Sequence, residues 1–384
     1  MIYLDNSATS YPKPREVRGA LERSLTDYGA NPGRSGYRMC TRTTEMLYRC
    51  RRLLADFFGA PGPEAVVFQP GCTAALNTVL KGILRAGDHA VVSDLEHNAV
   101  MRPLEKLKAQ GVSHTVVSVV PGDTPGTLAA FQGAIRPNTK LLVCTHGSNV
   151  FGFRLPVAEL GALAHRQGLR LCVDAAQTAG ILPINLAEMG IDYLCVAGHK
   201  GLYGMMGIGL MVLGAGAPLP DSLLEGGTGS RSRMPDQPAE APERYESGTL
   251  NIPGVASLLG GLAFLRRRGM EALYRHEMAL VQDFAQGLAR MPHVEVYTLP
   301  HRAPGYLPVF SFNVKGMPSE EAGARLAERG FALRCGLHCA PNPHRKLGTL
   351  DTGTIRLSPS AFTQPHHIAR LLTTLRSPTF RLPA

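Results

Sequence analysis

The sequence lacks any run of about 18 uncharged apolar residues, the length that a membrane-crossing helix requires. Residues 1 to 6 also lack the basic region and apolar core of a secretory signal. No internal repeat or low-complexity tract interrupts the 384 residues, and 44% of them are hydrophobic, so disorder is not indicated. These absences predict a folded, cytoplasmic protein with no membrane partner.

Acidic residues are scarce relative to basic ones, with 30 Asp and Glu against 40 Lys and Arg, and the formal net charge is +10. A basic protein binds nucleic acid when its cations form a patch or stripe. Here the charges are spread along the chain, and the longest basic cluster is Arg266-Arg267-Arg268. We therefore expect a solvated surface and no nucleic-acid partner.

The eight cysteines show no pattern of disulfide pairing. Cys144, Cys172 and Cys195 lie in apolar runs, as reduced core cysteines of a cytosolic protein do. Only Cys335 and Cys339 stand in a polar, loop-like segment where a thiol can take part in chemistry.

A metal site is an alternative for that segment, because His338 and His344 lie beside the two cysteines. Three of these four residues are crowded between positions 335 and 339, which does not match the spacing of paired ligands in zinc sites. Since the rest of the chain offers a cofactor site, no metal is expected.

Short apolar runs alternate with helix-like stretches between residues 65 and 215, which predicts an α/β fold with a mostly parallel sheet. Residues 214 to 249 are rich in Gly, Pro, Ser and charge and predict a long functional loop. A helical pair follows, and the remainder predicts a smaller α+β domain. We place the large domain at residues 14–275 and the small domain at residues 1–13 and 276–384. The predicted strands of the large domain are 65–68, 90–93, 141–144, 171–174 and 193–196.

Lys200 ends an apolar run, and a lysine at the end of a buried strand can form a Schiff base with pyridoxal phosphate (PLP). Asp174 ends the preceding run, about one strand-helix-strand unit earlier. Both side chains are therefore expected to meet at the carboxyl edge of the sheet. A lysine facing the aldehyde and a carboxylate facing the pyridine nitrogen are what PLP chemistry requires.

Three further segments follow predicted strands and can complete such a site. Cys72 and Thr73, preceded by Gly71, open a helix whose free N–H groups and positive dipole end can bind a phosphate. His97 can stack on a planar cofactor and exchange protons. Asn149 can bond the phenolic oxygen of the cofactor or a substrate carboxylate.

Seven motifs together resemble the class V aminotransferase-fold cysteine desulfurases, nearly from end to end of the chain. The likeness is greatest to the group of SufS-type desulfurases and selenocysteine lyases, because the cysteine segment reads Arg-x-Gly-x-His-Cys-Ala. The motifs are Tyr3-Leu4-Asp5-Asn6-Ser7-Ala8-Thr9, Glu96-His97-Asn98, Ser148-Asn149-Val150-Phe151-Gly152, Val173-Asp174-Ala175-Ala176-Gln177, Gly198-His199-Lys200, Glu246-Ser247-Gly248-Thr249-Leu250-Asn251 and Arg334-Cys335-Gly336-Leu337-His338-Cys339-Ala340.

This resemblance implies the PLP-dependent fold type I and a set of cofactor contacts. Lys200 would form the Schiff base, Asp174 would pair with the pyridinium nitrogen, His97 would stack on the ring and Gln177 would bond the phenolic oxygen.

The resemblance also implies how the two anionic groups are held. Thr73 and His199 would bind the phosphate, helped by Thr249 from the second subunit of a homodimer. Asn149 and Arg356 would bind the amino-acid carboxylate, a task that suits the planar fork of a guanidinium.

Cys339 is implied as the nucleophile that accepts sulfur from L-cysteine as a persulfide, releasing L-alanine and passing the sulfur to an acceptor. Its thiolate would be favoured by His338, Arg334 or the charge of the cofactor. Selenocysteine is an alternative substrate. Three departures from the family leave the substrate open: Ala197 replaces a serine that bonds the phosphate, Tyr37 replaces a frequent histidine, and Met205-Met206 replaces a turn that commonly contains proline.

Two rival interpretations remain at this point. Another class V enzyme, such as a C–S lyase or an aminotransferase, would use the same cofactor contacts and would not need Cys339. A non-catalytic basic binding protein is the other rival, but such a scaffold has no need for Lys200, Asp174 and Arg356 together.

Overall fold

The computed structural model describes residues 1–33, 36–298 and 305–381. Its strands are β1 (Ile2–Tyr3), β2 (Val66–Gln69), β3 (His89–Ser93), β4 (Ser113–Val117), β5 (Thr139–Thr145), β6 (Arg170–Asp174), β7 (Tyr193–Ala197), β8 (Gly209–Leu213), β9 (Val294–Val296), β10 (Phe310–Val314), β11 (Phe331–Ala332), β12 (Arg334–Gly336) and β13 (Thr354–Leu357). Its helices are α1 (Arg15–Thr26), α2 (Arg38–Phe58), α3 (Cys72–Ile83), α4 (Asn98–Lys108), α5 (Thr124–Gly133), α6 (Val157–Arg166), α7 (Leu186–Met189), α8 (Ile252–Arg268), α9 (Met270–Leu288), α10 (Ser319–Glu328), α11 (Pro341–Lys346), α12 (Pro365–Arg376) and α13 (Pro378–Arg381), with a 3-10 turn at Pro63–Ala65.

The central sheet has seven strands in the order β2-β8-β7-β6-β5-β3-β4. All five predicted strands are present, and the mostly parallel α/β architecture is confirmed. Sequence reasoning missed two strands of this central sheet, β4 and β8. The exposed edge strand β4 carries few buried side chains, and β8 follows β7 after a turn without a helix, so it returns antiparallel to both of its neighbours.

Both faces of this sheet are covered, which explains why its strands read as continuous apolar runs. Val66 and Phe68 of β2 pack into one core, whereas Val67 between them packs into the core on the opposite face. The carboxyl ends of β5, β6 and β7 consequently meet at one sheet edge, beside the first turns of α3 and α4.

The long segment predicted as a loop contains no helix or strand between β8 and α8, as the sequence indicated. The helical pair that follows is also confirmed, as α8 and α9. None of the helices in the described ranges is both long and apolar enough to span a bilayer.

A second sheet, in the order β12-β13-β10-β9, is antiparallel and forms the smaller α+β region. The amino-terminal strand β1 pairs in parallel with β11, and Ile2 and Leu4 pack into the core of this region. The strand pairing changes between β11 and β12, because β11 pairs with β1 while β12 pairs with β13. The domain boundaries given above stay a prediction.

A buried ion pair holds the long loop segment against the central sheet. Arg51 of α2 donates to Glu246 and to the carbonyl oxygen of Val66, and its guanidinium carbon lies 4.4 Å from the ring centroid of Phe68. The other carboxylate oxygen of Glu246 accepts the N–H of Phe68 at 2.7 Å. Burial raises the pKa of Glu246, and Arg51 opposes that rise.

We expect Arg51→Met to destabilise the fold by about 3–5 kcal/mol, because it leaves the Glu246 carboxylate buried without a partner. Protonation of Glu246 relieves that cost, so the loss measured by urea unfolding should be smaller at pH 5 than at pH 8. Arg51→Met combined with Glu246→Gln should recover part of the loss. Equal losses at both pH values, with no recovery in the double variant, would contradict this account.

Candidate active site

A cavity of about 480 Å³ lies at the carboxyl edge of the central sheet, as the sequence predicted. Its walls come from the ends of β6 and β7, the loop after β5 and the first turns of α3 and α4. It brings together most of the residues expected to form the site. Those lining it are Cys72, Thr73, His97, Asn149, Asp174, Gln177, His199 and Lys200, with Ala197 beside them.

Asp174 ends β6 and is buried in the cavity wall. One carboxylate oxygen accepts the N–H of Ala176 at 2.9 Å and the thiol of Cys72 at 3.4 Å. Burial and the neighbouring Asp174 raise the pKa of the Cys72 thiol well above its usual value, so the thiol stays protonated and can donate. Sequence reasoning assigned Cys72 only to the helix terminus and missed this contact across 102 residues.

Lys200 follows β7 and lines the cavity, where its amino group is desolvated. Burial lowers the pKa of Lys200 and nearby Arg356 lowers it further, while Asp174 opposes the shift. A lysine with a lowered pKa is more often neutral, and the neutral amine is the nucleophilic and basic form.

The backbone before Lys200 is held by the amino-terminal segment. The carbonyl oxygen of His199 accepts hydrogen bonds from the N–H of Ser10 at 3.1 Å, from the Ser10 hydroxyl at 3.0 Å and from Lys13 Nζ at 3.0 Å. After the lysine, the N–H of Tyr203 donates to the Lys200 carbonyl at 2.8 Å. Sequence reasoning did not identify Ser10 or Lys13, because nothing local marks them as neighbours of the lysine.

His97 is the N-cap of α4, where its Nδ1 accepts the N–H of Ala99 at 3.0 Å. This bond leaves Nε2 as the nitrogen that carries the proton in the neutral ring. Burial lowers the pKa of His97, with smaller contributions from Lys200 and Arg334 in the same direction and an opposing one from Asp174. The structure thus presents a neutral, oriented imidazole at the cavity.

The first turn of α3 offers an anion-binding end. Its N-cap, Gly71, provides no side-chain cap, so the N–H groups after it are available to a ligand. His199 lies in the same wall with its Nδ1 buried and without a partner among the described residues. Burial lowers the pKa of His199 to about 4, helped by Lys200 and Lys13, so the ring is neutral.

Arg356 of β13 is fully buried and approaches from the smaller sheet. Its guanidinium pairs with Asp5 at 2.6 Å and donates to the carbonyl oxygen of Asn149 at 3.0 Å. Its Nε has no partner in the described part of the chain, which leaves one buried donor for a ligand. The Asn149 amide donates to the carbonyl oxygen of His338 at 2.8 Å. Asp5 belongs to the first motif of the sequence analysis, which assigned it no role.

Gln177 lines the cavity beside Asp174 and is tied to the amino-terminal segment. Its side-chain amide donates to the carbonyl oxygen of Ser7 at 3.1 Å, which leaves its side-chain oxygen free of that contact. The position agrees with a side chain that reaches the cofactor, and its predicted bond to the phenolic oxygen stays a prediction.

Cys339 is exposed beside the cavity, in the segment after β12. Both His338 (φ 51°) and Cys339 (φ 60°) adopt the left-handed backbone conformation. The Arg334 guanidinium lies 3.5 Å from the Cys339 sulfur, and the Cys339 carbonyl accepts the N–H of Asn98 at 2.8 Å.

His338 is not a second cation beside that sulfur. Its ring is buried, its Nε2 lies 3.1 Å from the Thr354 hydroxyl, and burial together with Arg356 lowers its pKa well below the usual value. Of the two side chains expected to favour the thiolate, Arg334 contacts the sulfur and His338 is neutral.

The four residues weighed as metal ligands have separate partners. His344 Nδ1 lies 2.8 Å from the Thr349 hydroxyl, and the Cys335 sulfur packs close to Gly323 of α10. Burial raises the pKa of the Cys335 thiol to about 12, with help from Glu320 and Asp5. In the described ranges, no group of three His, Cys, Asp or Glu side chains is arranged to hold a metal ion.

Thr249 is exposed and does not line the cavity of its own chain. Its contact with the phosphate of a second subunit stays a prediction. Tyr37 is an exposed N-cap of α2, and Met206 is exposed in the turn between β7 and β8. Neither of these two departures from the family lines the cavity, whereas Ala197 does.

Comparison with known proteins agrees with this geometry. Residues 2–371 match the family model described as Aminotransferase class-V. A probable cysteine desulfurase from Methanothermobacter thermautotrophicus is 32% identical over 385 residues, which cover 97% of this chain and 94% of the relative. The chain belongs to the class-V aminotransferase family.

Within that family, the similar proteins are named as cysteine desulfurases. The apo structure of the cysteine desulfurase from Thermococcus onnurineus NA1 superposes with a TM-score of 0.88 at 30% identity, covering 97% of this chain and 93% of that one. A probable cysteine desulfurase from Mycolicibacterium paratuberculosis is 32% identical over 91% of this chain, which spans about half, 51%, of that relative.

The class-V aminotransferase family implies pyridoxal phosphate as the cofactor, and the residues present fit it. The open first turn of α3 and the unpartnered nitrogen of His199 suit the phosphate. The buried carboxylate of Asp174 suits a protonated pyridine nitrogen, and the desolvated amine of Lys200 suits the aldehyde. Ala197 supplies no hydroxyl to the phosphate, so the backbone donors of α3 carry more of that task.

We expect Cys72→Ala to weaken PLP binding about threefold, because it removes one of two donors to Asp174 Oδ1. Cys72→Ser keeps a donor and should bind PLP almost as the wild type does. The dissociation constant can be measured by titrating the apoprotein with PLP and following absorbance. Cys40→Ala, another buried cysteine, serves as the control, and a loss equal to that of Cys72→Ala would point to a general packing effect.

Proposed function

We propose that the protein is a cysteine desulfurase, which converts L-cysteine to L-alanine and takes the sulfur as a persulfide on Cys339. The observation that carries this proposal is the exposed Cys339 sulfur, 3.5 Å from the Arg334 guanidinium, beside the cavity that holds Lys200 and Asp174. A transaminase or a C–S lyase would need the cavity but not a displayed thiol.

Substrate orientation is assigned to Arg356 and Asn149. The unpartnered Nε of Arg356 offers a buried donor to the carboxylate of the amino acid. Asp5 fixes the guanidinium from its other side, so the donor is positioned before the substrate binds. Pre-positioning of this kind lowers the entropic cost of orienting the substrate.

PLP, held by Lys200 when bound, supplies the electron sink that acidifies the Cα proton of the substrate. Lys200 Nζ is the base that removes this proton, since its lowered pKa keeps a larger fraction neutral. Asp174 would pair with the cofactor nitrogen, and the neutral His97 ring would provide a flat, oriented surface for stacking.

Cys339 completes the reaction by attacking the sulfur of the substrate. A bond forms between Cys339 Sγ and that sulfur, and the bond between the sulfur and the substrate Cβ breaks. The electron pair of the broken bond stays on carbon, which takes up a proton and is released as part of alanine. The Arg334 guanidinium lies 3.5 Å from the attacking sulfur before the step. Selenocysteine fits the same contacts as an alternative substrate.

Cys339→Ser should abolish release of alanine and sulfide from L-cysteine, by at least about 100-fold, because the hydroxyl is a far weaker nucleophile at neutral pH. Cys335→Ser is the matched control and should keep activity within about twofold, since that thiol faces Gly323 rather than the cavity. Alanine, sulfide and pyruvate are assayed together. Pyruvate as the product would identify a β-elimination lyase, and activity that is lost only with Cys335 would move the nucleophile there.

We further propose a homodimer with two composite sites, in which Thr249 reaches the phosphate of the partner. Large apolar side chains support a covered surface: Met206 is 66% exposed and Leu224 is 71% exposed, both near the segment that carries Thr249. The Asn251 amide donates to the Gly207 carbonyl at 2.9 Å, which places the turn of Met206 next to that segment.

Co-expression of Lys200→Ala and Thr249→Ala chains with different tags tests this arrangement. Each variant alone should be impaired, but a heterodimer holds one site with both Lys200 and Thr249 intact, so purified heterodimers should recover close to half of the wild-type rate. Sedimentation should show a dimer. Recovery no better than the average of the two variants, or an active monomer, would rule out composite sites.

The persulfide is proposed to pass to an acceptor thiol in the cytoplasm. All eight cysteines are free, and those in β5, β6 and β7 are buried, as suits a reducing compartment. An exposed persulfide is open to attack by another thiolate. Turnover is accordingly expected to depend on the acceptor that is supplied.

A further inference from the structure

Cys339 lies at one end of a groove that the catalytic residues do not account for. The groove has a volume of about 330 Å³ and runs from Cys339 and His97 along the outer faces of α3 and α4. Its far walls carry three cations, Lys81 of α3 and Arg102 and Lys106 of α4. We call this surface the cationic groove.

The three cations have no acidic partner. In the described ranges, none of Lys81, Arg102 and Lys106 forms an ion pair, and Arg102 and Lys106 are exposed. By contrast, Lys108 on the same helix pairs with Glu105 at 2.8 Å. Arg102 and Lys106 are one helical turn apart and therefore lie on one face of α4.

The amino-acid substrate does not explain these cations. It carries one carboxylate, for which Arg356 offers a buried donor inside the cavity. The groove extends away from that cavity and shares with it Thr73, Asn77, His97 and Ala99 of the residues that line it. The proposed reaction also requires an acceptor for the sulfur on Cys339, and Cys339 lines this groove.

Resting on the proposed desulfurase function, we propose that the cationic groove binds a small anionic thiol with two or more carboxylates, which accepts sulfur directly from Cys339. The volume is that of a small-molecule pocket. Docking of a protein requires about 800 Å² on each partner with an apolar centre, whereas no large apolar side chain lines the groove.

The transfer step is balanced without an oxidant. The thiolate of the acceptor attacks the outer sulfur of the Cys339 persulfide, a new S–S bond forms on the acceptor, and the bond to Cys339 Sγ breaks. Cys339 leaves as a thiolate beside Arg334, and the proton of the acceptor thiol goes to solvent. The carboxylates of the acceptor remain on Arg102, Lys106 and Lys81 during the exchange.

The test isolates this step on the holoenzyme. One equivalent of L-cysteine loads Cys339, excess is removed, and loss of the persulfide is followed by mass spectrometry after mixing with glutathione or with its diethyl ester. Each rate constant is divided by the concentration of acceptor thiolate before the two acceptors are compared. For the wild type, we expect glutathione to react roughly fivefold faster than the ester, with the preference lost in about 1 M salt.

Arg102→Gln combined with Lys106→Gln should bring the ratio of the two rate constants close to one. Lys108→Gln removes a charge from the same helix outside the groove and should leave the ratio unchanged. A wild-type ratio of one, or an equal effect of Lys108→Gln, would overturn the groove assignment while a persulfide still forms. A preference seen only with an acidic protein that carries one exposed thiol would overturn the small-thiol proposal in favour of protein docking. Failure to form any persulfide would instead overturn the desulfurase function.

Discussion

Hydrogen bonds from the amino-terminal segment, residues 5 to 13, hold together the walls of the active site. Asp5 pairs with Arg356, the Ser7 carbonyl accepts from Gln177, and Ser10 and Lys13 both donate to the carbonyl before Lys200. These contacts join Arg356, Gln177 and the backbone before Lys200 to one strip of chain. The ion pair with Asp5 offsets part of the cost of burying the Arg356 guanidinium.

The sheet edge supplies the second half of the geometry. Parallel strands end side by side. Asp174 ends β6 and Lys200 follows the neighbouring β7, so both face one cavity without a direct hydrogen bond or ion pair between these two side chains. The desolvation that lowers the pKa of Lys200 also raises that of Cys72, which keeps a donor available to Asp174. One environment therefore sets a base and a hydrogen-bond donor at the same time.

Sequence reasoning was effective where a local pattern dictates structure. Continuous apolar runs marked the five buried strands, and the position of Lys200 and Asp174 at strand ends placed both at the same sheet edge. It failed where the signal is weak or non-local. The exposed strand β4 lacks the apolar pattern, and the contacts of Cys72 with Asp174 and of Arg356 with Asp5 join residues that nothing in the sequence pairs. Side-chain neighbours across such separations depend on packing that a single sequence does not encode locally.

His338 and Cys339 are consecutive, neither is a glycine, and both adopt the left-handed backbone conformation. Such a conformation costs of order 1–3 kcal/mol for each residue, and the surrounding contacts, including the bond from Asn98 to the Cys339 carbonyl, must offset it. The exposed Cys339 thiol, the proposed nucleophile, is thus held in place at the expense of folding stability. Selection of this enzyme for heat resistance alone would favour substitutions that remove the left-handed conformation at these two positions. A gain in thermostability there would therefore come at a cost to the proposed sulfur chemistry.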